Sequence, residues 1–166
     1  SFAEKDYHYL KKNKVGIAHL SQRFGKIRYT TLVINKLFSY DATILITYPD
    51  NKIRDSFSND FEKWEFKNPN IIYVNFSSLK KYTQFEFDMI IVDEPQLLSE
   101  NECSLLSGIG YEYMLILSGT LNKETQSKLK ECLNANIMSE YLIEEAINNN
   151  IVADYSVTIH TINLDN

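Results

Sequence analysis

Three short stretches carry residues whose types suit phosphate chemistry. The first is Leu20-Ser-Gln-Arg-Phe-Gly-Lys-Ile27, which follows an apolar run and precedes a helical pattern. Its Gly25-Lys26 pair fits the end of the phosphate-cradling pattern G-x-x-x-x-G-K-[ST], with Leu20 where the first glycine stands and Ile27 where the hydroxyl residue stands. Backbone amides at a helix start attract phosphate, and a lysine there reaches the terminal phosphates. The second is Ile90-Ile-Val-Asp-Glu-Pro-Gln96, an apolar strand ending in two adjacent carboxylates. Asp93 suits a divalent cation, and Glu94 suits orienting and deprotonating a water. The third is Leu115-Ile-Leu-Ser-Gly-Thr120, whose two hydroxyls could hydrogen-bond the acid pair. Each stretch also has a plain reading: a Gly-Lys at an ordinary helix start, an acidic turn, a polar turn. Their joint occurrence, each at the end of an expected strand, favours one nucleotide site.

The elements that must position them alternate. Strand-length apolar runs at 15–20, 42–48, 70–76, 87–92, 113–117 and 155–162 are separated by helical patterns. Residues 3–12 suit a short helix. Ile27, Thr31, Ile34 and Phe38 share one helical face, as do Ile53, Phe57, Phe61 and Trp64 after Pro49-Asp50. Further helices are expected over 122–133 and near 140–148, the latter N-capped by Ser139. Asn148 to Asn150 reads as a helix stop and Trp64 as core. The pattern predicts an α/β fold, a doubly wound, mostly parallel sheet with helices on both faces, in a single domain spanning 1–166. Polar residues cluster at 21–26, 49–54, 93–96 and 118–120. These are expected to converge at the shared carboxyl edge of the strands, where open parallel sheets bind ligands.

Composition bounds the rest. The chain of 166 residues is 44% hydrophobic, enough for one real core and against disorder. A net charge of −5 argues against an independent, high-affinity nucleic-acid binder, though not against a domain that grips a strand with a partner domain. Cys103 and Cys132 form no disulfide framework, and His8, His19 and His160 have no metal-ligand spacing. No apolar run approaches the roughly 18 residues of a membrane span, and the opening residues do not read as a secretory signal. A reducing, cytoplasmic setting is expected, and no membrane partner.

Taken together, GK, DEPQ and SGT resemble motifs I, II and III of superfamily 2 (DEAD/DEAH-like) helicases. Arg23-Phe-Gly-Lys-Ile-Arg28 resembles the R-x-G-K-T-R variant of motif I in phage-type helicases. Tyr48-Pro-Asp-Asn-Lys-Ile53 stands where motif Ia falls, and Trp64 closes a segment like F-x-K-W. Asn75-Phe-Ser-Ser-Leu-Lys80 is similar to a T-Y-x-S-L segment upstream of motif II. Ile143 to Ile147 and Ile151 to Tyr155 resemble the EAI and G-I-L-A-D-Y stretches that close the first motor domain. The resemblance spans nearly the whole chain and implies a RecA-like P-loop NTPase domain, the first of two.

The resemblance further implies ATP and Mg²⁺ as cofactors. Gln22, Arg23, Phe24, Gly25, Lys26, Ile27 and Arg28 would surround the nucleotide. Asp93 and Glu94 would serve the metal, and Glu94, Lys26 and Gln96 the catalysis. Ser118, Gly119 and Thr120 would couple hydrolysis to strand movement. Pro49, Lys52, Arg54, Ser77, Ser78 and Lys80, with Lys81 beside them, would touch the backbone of nucleic acid, DNA ahead of RNA. A phage origin would make the compartment the host cytoplasm. Ile27 departs from the pattern by lacking the metal-binding hydroxyl; Thr30, one turn on, would help only through water. Two alternatives therefore stand beside the motor: a hydrolysis-deficient nucleotide-binding or scaffolding module, and a small self-contained nucleotide kinase. Motifs IV to VI are expected in a second RecA-like domain.

Overall fold

A computed structural model describes residues 2–21 and 24–141. Helix α1 (Phe2–Asn13) leads into β1 (Val15–Leu20), α2 (Lys26–Leu37), β2 (Ile44–Tyr48), α3 (Asn51–Lys63) and β3 (Ile71–Asn75). A 3-10 helix (Phe76–Tyr82) precedes β4 (Glu86–Asp93), and a shorter one (Pro95–Leu97) follows it. Then come α4 (Glu100–Ser107), β5 (Gly110–Ser118), α5 (Lys123–Leu133) and β6 (Ile137–Tyr141).

The six strands form one sheet in the order β3-β2-β4-β5-β1-β6. Every pairing is parallel. Parallel sheets need both faces covered, and the central strands are apolar throughout. Side chains alternate between faces. Ala18, Leu20, Ile44, Ile46, Met89, Ile91, Leu115 and Leu117 pack with residues of α1, α2 and α3. Ile17, Leu45, Ile90, Val92, Met114 and Ile116 pack with the longer 3-10 helix, α4 and α5 on the other side. The α/β expectation, with helices on both faces, is therefore met.

Caps set several boundaries. Asp50 accepts from the Lys52 amide (2.8 Å) and starts α3. Ser99 and Glu102 form a reciprocal capping box that starts α4, a helix the sequence reading did not assign. One expectation fails outright. Ser139 is no N-cap; it lies inside β6, the edge strand that pairs with β1, and its hydroxyl donates to Asp6 at 2.8 Å. The rest of the expected helix near 140–148, the strand at 155–162, the stop at 148–150 and the closing motor segments lie outside the described residues. Among the described residues, no helix is long and apolar enough to cross a membrane.

Candidate functional site

Because all strands run the same way, Leu20, Tyr48, Asn75, Asp93 and Ser118 end on one edge of the sheet. The segments after them converge there, as the polar clusters predict.

The loop after β1 turns by placing its apolar residue inward. Phe24 is buried, and its amide donates to the Ser21 carbonyl at 3.1 Å. Gly25 then adopts φ 89°, ψ 52°, a left-handed conformation that suits glycine. It is the N-cap of α2 and supplies no side-chain cap. Gly25 thus puts no side chain across the first-turn amides of α2, and the positive end of the helix faces the edge.

Lys26 opens α2 and is about one-third exposed (34%), whereas Asp93, the last residue of β4, is fully buried (0%). The Lys26 ammonium donates to Asp93 Oδ2 at 2.8 Å across 67 residues of chain. Parity explains the meeting: Met89 and Ile91 face α2, so Asp93 does too. Burial pushes the Asp93 carboxyl above the usual 3.8; the Lys26 charge and hydrogen bond oppose this, and the Glu94 charge adds to it.

Glu94 holds φ 55°, ψ 57°, a left-handed conformation uncommon outside glycine. Such residues cluster at functional sites, where surrounding bonds hold them. Its amide donates to Asp93 Oδ1 (3.1 Å) and to the Leu117 carbonyl of β5 (3.2 Å). Its carboxylate accepts from the Gln96 amide at 2.5 Å. Gln96 Oε1 is buried with no partner among the described residues, leaving an acceptor beside the acid pair.

The third stretch behaves differently from expectation. Ser118 is buried and closes its own turn, donating to the Thr120 carbonyl (2.6 Å) and accepting from the Thr120 amide (3.3 Å). Thr120 and Gly119 are exposed. The link between β5 and the acid pair is the backbone bond to Leu117, not a hydroxyl.

The other expected nucleotide residues diverge. Gln22 and Arg23 lie outside the described residues. Ile27 is 3% exposed and packs in the core under α2. Arg28 lays its guanidinium 4.8 Å from the Trp64 ring centre, toward the α3 end. Thr30 is buried and donates to the Lys26 carbonyl at 2.8 Å, so it has no route to a cation through water.

The two segments expected to touch nucleic acid are linked where they begin. Asn75 joins the two segments: its amide donates to the Pro49 carbonyl (3.3 Å), and its carbonyl accepts from the Ser77 amide and hydroxyl (both 3.0 Å). Lys52, Arg54, Ser77, Lys80 and Lys81 are exposed, with Pro49 and Ser78 partly so. Both segments start at the ends of β2 and β3, but Lys52 and Arg54 stand on α3 and Ser77 to Lys81 on the 3-10 helix, which pack on opposite faces of the sheet. Sequence reading gave no role to Asp6, Tyr29 or Tyr141, which pack behind the Phe24 loop.

No protein-family model matches the chain. No curated protein matches it either. Solved structures do. The Sulfolobus solfataricus SWI2/SNF2 ATPase core in complex with dsDNA superposes with a TM-score of 0.60 at 16% identity, covering 80% of this chain and 35% of that one. The fold is RecA-like. The S. solfataricus SWI2/SNF2 ATPase core domain gives a TM-score of 0.59 at 16% identity, covering 78% of this chain and 32% of that one. The chain thus spans about a third of each neighbour's length.

The residues at the edge fit a nucleoside triphosphate. One ammonium, an uncapped helix start and a buried carboxylate converge, with the unpartnered Gln96 Oε1 alongside. Among the described residues no group of three or more His, Cys, Asp or Glu side chains could hold a metal alone. The Asp93 carboxylate at this edge is the kind of ligand Mg²⁺ takes, since that ion binds one or two carboxylates and completes its shell with phosphates and water.

Proposed function

We propose that this chain is the first motor domain of an ATP-dependent nucleic-acid translocase of the superfamily 2 helicase type, acting on DNA. The reading rests chiefly on the 2.8 Å contact of Lys26 with Asp93, made at the carboxyl edge by residues 67 apart. The RecA-like fold supports it, as does the dsDNA held by a structural neighbour.

In this reading Gly25 and the α2 amides seat the phosphates, and the Lys26 ammonium turns from Asp93 to their oxygens. Asp93, so released, takes up the cation's side of the site directly or through water. Bound Mg²⁺ would neutralise charge on the phosphate oxygens. Glu94, oriented by Gln96, positions the attacking water and accepts its proton as the γ-phosphate leaves ADP. The turn at Ser118, Gly119 and Thr120 feels this through the Leu117–Glu94 bond. Pro49, Lys52, Arg54, Ser77, Ser78 and Lys80 carry the strand by its phosphates, without reading sequence. A second RecA-like domain supplies an arginine finger, worth roughly 10³–10⁵ in rate in related phosphoryl transfer.

A second reading has an observation of its own. With Ile27 packed in the core and Thr30 internally bonded, no hydroxyl on α2 faces the cation. That favours a nucleotide-binding or scaffolding module that does not hydrolyse. Titration calorimetry of the chain with ATP and Mg²⁺ tests both readings. Binding that requires Mg²⁺ and Lys26 is expected, and absence of binding removes both. Phosphate release by the full-length protein with DNA then separates them, because the module binds without turnover.

A further inference from the structure

Behind the phosphate-facing loop lies a buried carboxyl group that the proposed chemistry does not use. Asp6, in α1, has no exposed surface. Its Oδ2 accepts hydrogen bonds from three hydroxyls on two other elements: Tyr29 of α2, Ser139 of β6 (2.8 Å) and Tyr141 of β6 (2.9 Å). Four side chains separated by up to 135 residues thus meet at one oxygen. Burial, and then the Asp6 charge, hold the Tyr29 hydroxyl well above its usual range, so it stays a donor. An apolar cluster could fill this space. A carboxyl in it depends on these donors: its Oδ1 is buried with no partner among the described residues, so Oδ2 carries all of its hydrogen bonds, and a buried polar group left unpaired is costly.

The donors lead directly to the loop. Tyr141 stacks on Phe24 with ring centres 5.0 Å apart and planes 10° from parallel. Its carbonyl accepts from the Ser21 amide at 3.1 Å, so one residue holds the loop by ring and by backbone. Tyr29 meets Phe24 edge-on at 5.9 Å, and its amide donates to the Gly25 carbonyl at 2.9 Å. Phe2, one turn before Asp6 on α1, packs on both Phe24 and Tyr141. Phe24 directly precedes the left-handed Gly25 and Lys26, so its inward anchoring fixes where the loop crosses into α2.

We infer that Asp6 is a positioning residue for the loop bearing Gly25 and Lys26, acting through Tyr29 and Tyr141. The inference deepens the proposed nucleotide site and rests on that reading only for its effect on ATP. Pre-set loops bind with less ordering loss, so the lock is worth affinity rather than chemistry.

The test uses Tyr141→Phe, which removes one hydroxyl and keeps the ring on Phe24, and Asp6→Asn, which keeps the shape. Leu129→Ala, in the core of the opposite face, is the control for lost stability alone. Hydrogen exchange of the Ser21 and Phe24 amides is measured without nucleotide, well below each variant's melting temperature. Exchange faster by roughly tenfold or more in Tyr141→Phe and Asp6→Asn, but not in Leu129→Ala, is expected. ATP–Mg²⁺ affinity should fall at least about fivefold in the first two and stay near native in the control. Native-like loop exchange in both variants overturns the inference. If the native chain binds no ATP, the nucleotide reading fails, and exchange alone still decides whether Asp6 sets the loop.

Discussion

Replacing Lys26 by Met removes the counter-charge from a carboxylate with no exposed surface. Breaking a fully buried pair by deleting one partner costs roughly 3–5 kcal/mol. The lysine end is 34% exposed, so water reaches the pair and the cost drops to about 2 kcal/mol. For a domain of this size that lowers the melting temperature by roughly 4–8 °C. The loss must also depend on pH. Burial already lifts the folded Asp93 carboxyl above 3.8 against the pull of Lys26. The folded state therefore keeps this proton where the unfolded chain has lost it, and the group weakens the fold as pH rises through that window. Without Lys26 the window extends upward. The deficit of Lys26→Met should be small near the ordinary carboxylate pKa and full at about pH 7. Thermal melts followed by circular dichroism across this range measure it. Adding Asp93→Asn to Lys26→Met should recover much of the loss, since no charge is left buried. A deficit of equal size at every pH, or none at neutrality, would show that the two groups do not act as a charge pair.

Glu94→Gln should leave ATP affinity near native and lower hydrolysis by the full-length protein by roughly 10²–10⁴-fold, read as phosphate release with DNA present. Ile27→Thr should destabilise the chain by about 1–3 kcal/mol, because it puts a hydroxyl into the apolar core under α2; a melt shows this, and a Mg²⁺-dependent rise in turnover would mean that position 27 reaches the cation after all. Arg54, exposed with its guanidinium 5.9 Å from the Tyr73 ring centre, is in the proposed interface, so Arg54→Ala should weaken DNA binding equally for all sequences and flatten the logarithmic salt dependence by about one unit, as loss of one phosphate contact does. An unchanged slope in a binding titration would remove Arg54 from the interface.

Where the fold was legible, local rules were enough. The runs at 15–20, 42–48 and 87–92 are apolar because these strands are buried on both faces, and that is a property of the window itself. β6 escaped because Ile137–Tyr141 is short and polar for a buried strand, with Ser139 and Glu140 inside it. What makes it a strand is the pairing with β1 and the partner of Ser139, Asp6, 133 residues away. No window holds both. The omission of α4 has another origin. Ser99-x-x-Glu102 is a capping box written in the sequence, and the helix follows it directly. Thr30 shows the opposite limit: its residue type allowed a contact with the cation through water, but its hydroxyl goes to the carbonyl one turn back, as threonines in helices do.

At the site itself, the sequence conveyed that the strand ends converge, but not which of the two acids faces the lysine. In β4 the residues facing α2 are Met89, Ile91 and Asp93; those facing away are Ile90 and Val92. A strand with a two-residue repeat cannot present both acids of Asp93-Glu94 to the same lysine. The chain resolves this by leaving the strand at Glu94 with a left-handed residue, tied by its amide to Leu117. Asp93 then meets Lys26, and the Glu94 carboxylate meets Gln96, which lines the groove against α4 and α5. Two neighbouring acids thereby acquire different surroundings, one buried against a cation and one beside an amide. In the proposed function that separation would let one carboxylate serve charge while the other handles a proton. The lysine half follows a loop whose Phe24 packs on Phe2 and Tyr141, residues at both ends of the described chain, a placement that no local window holds.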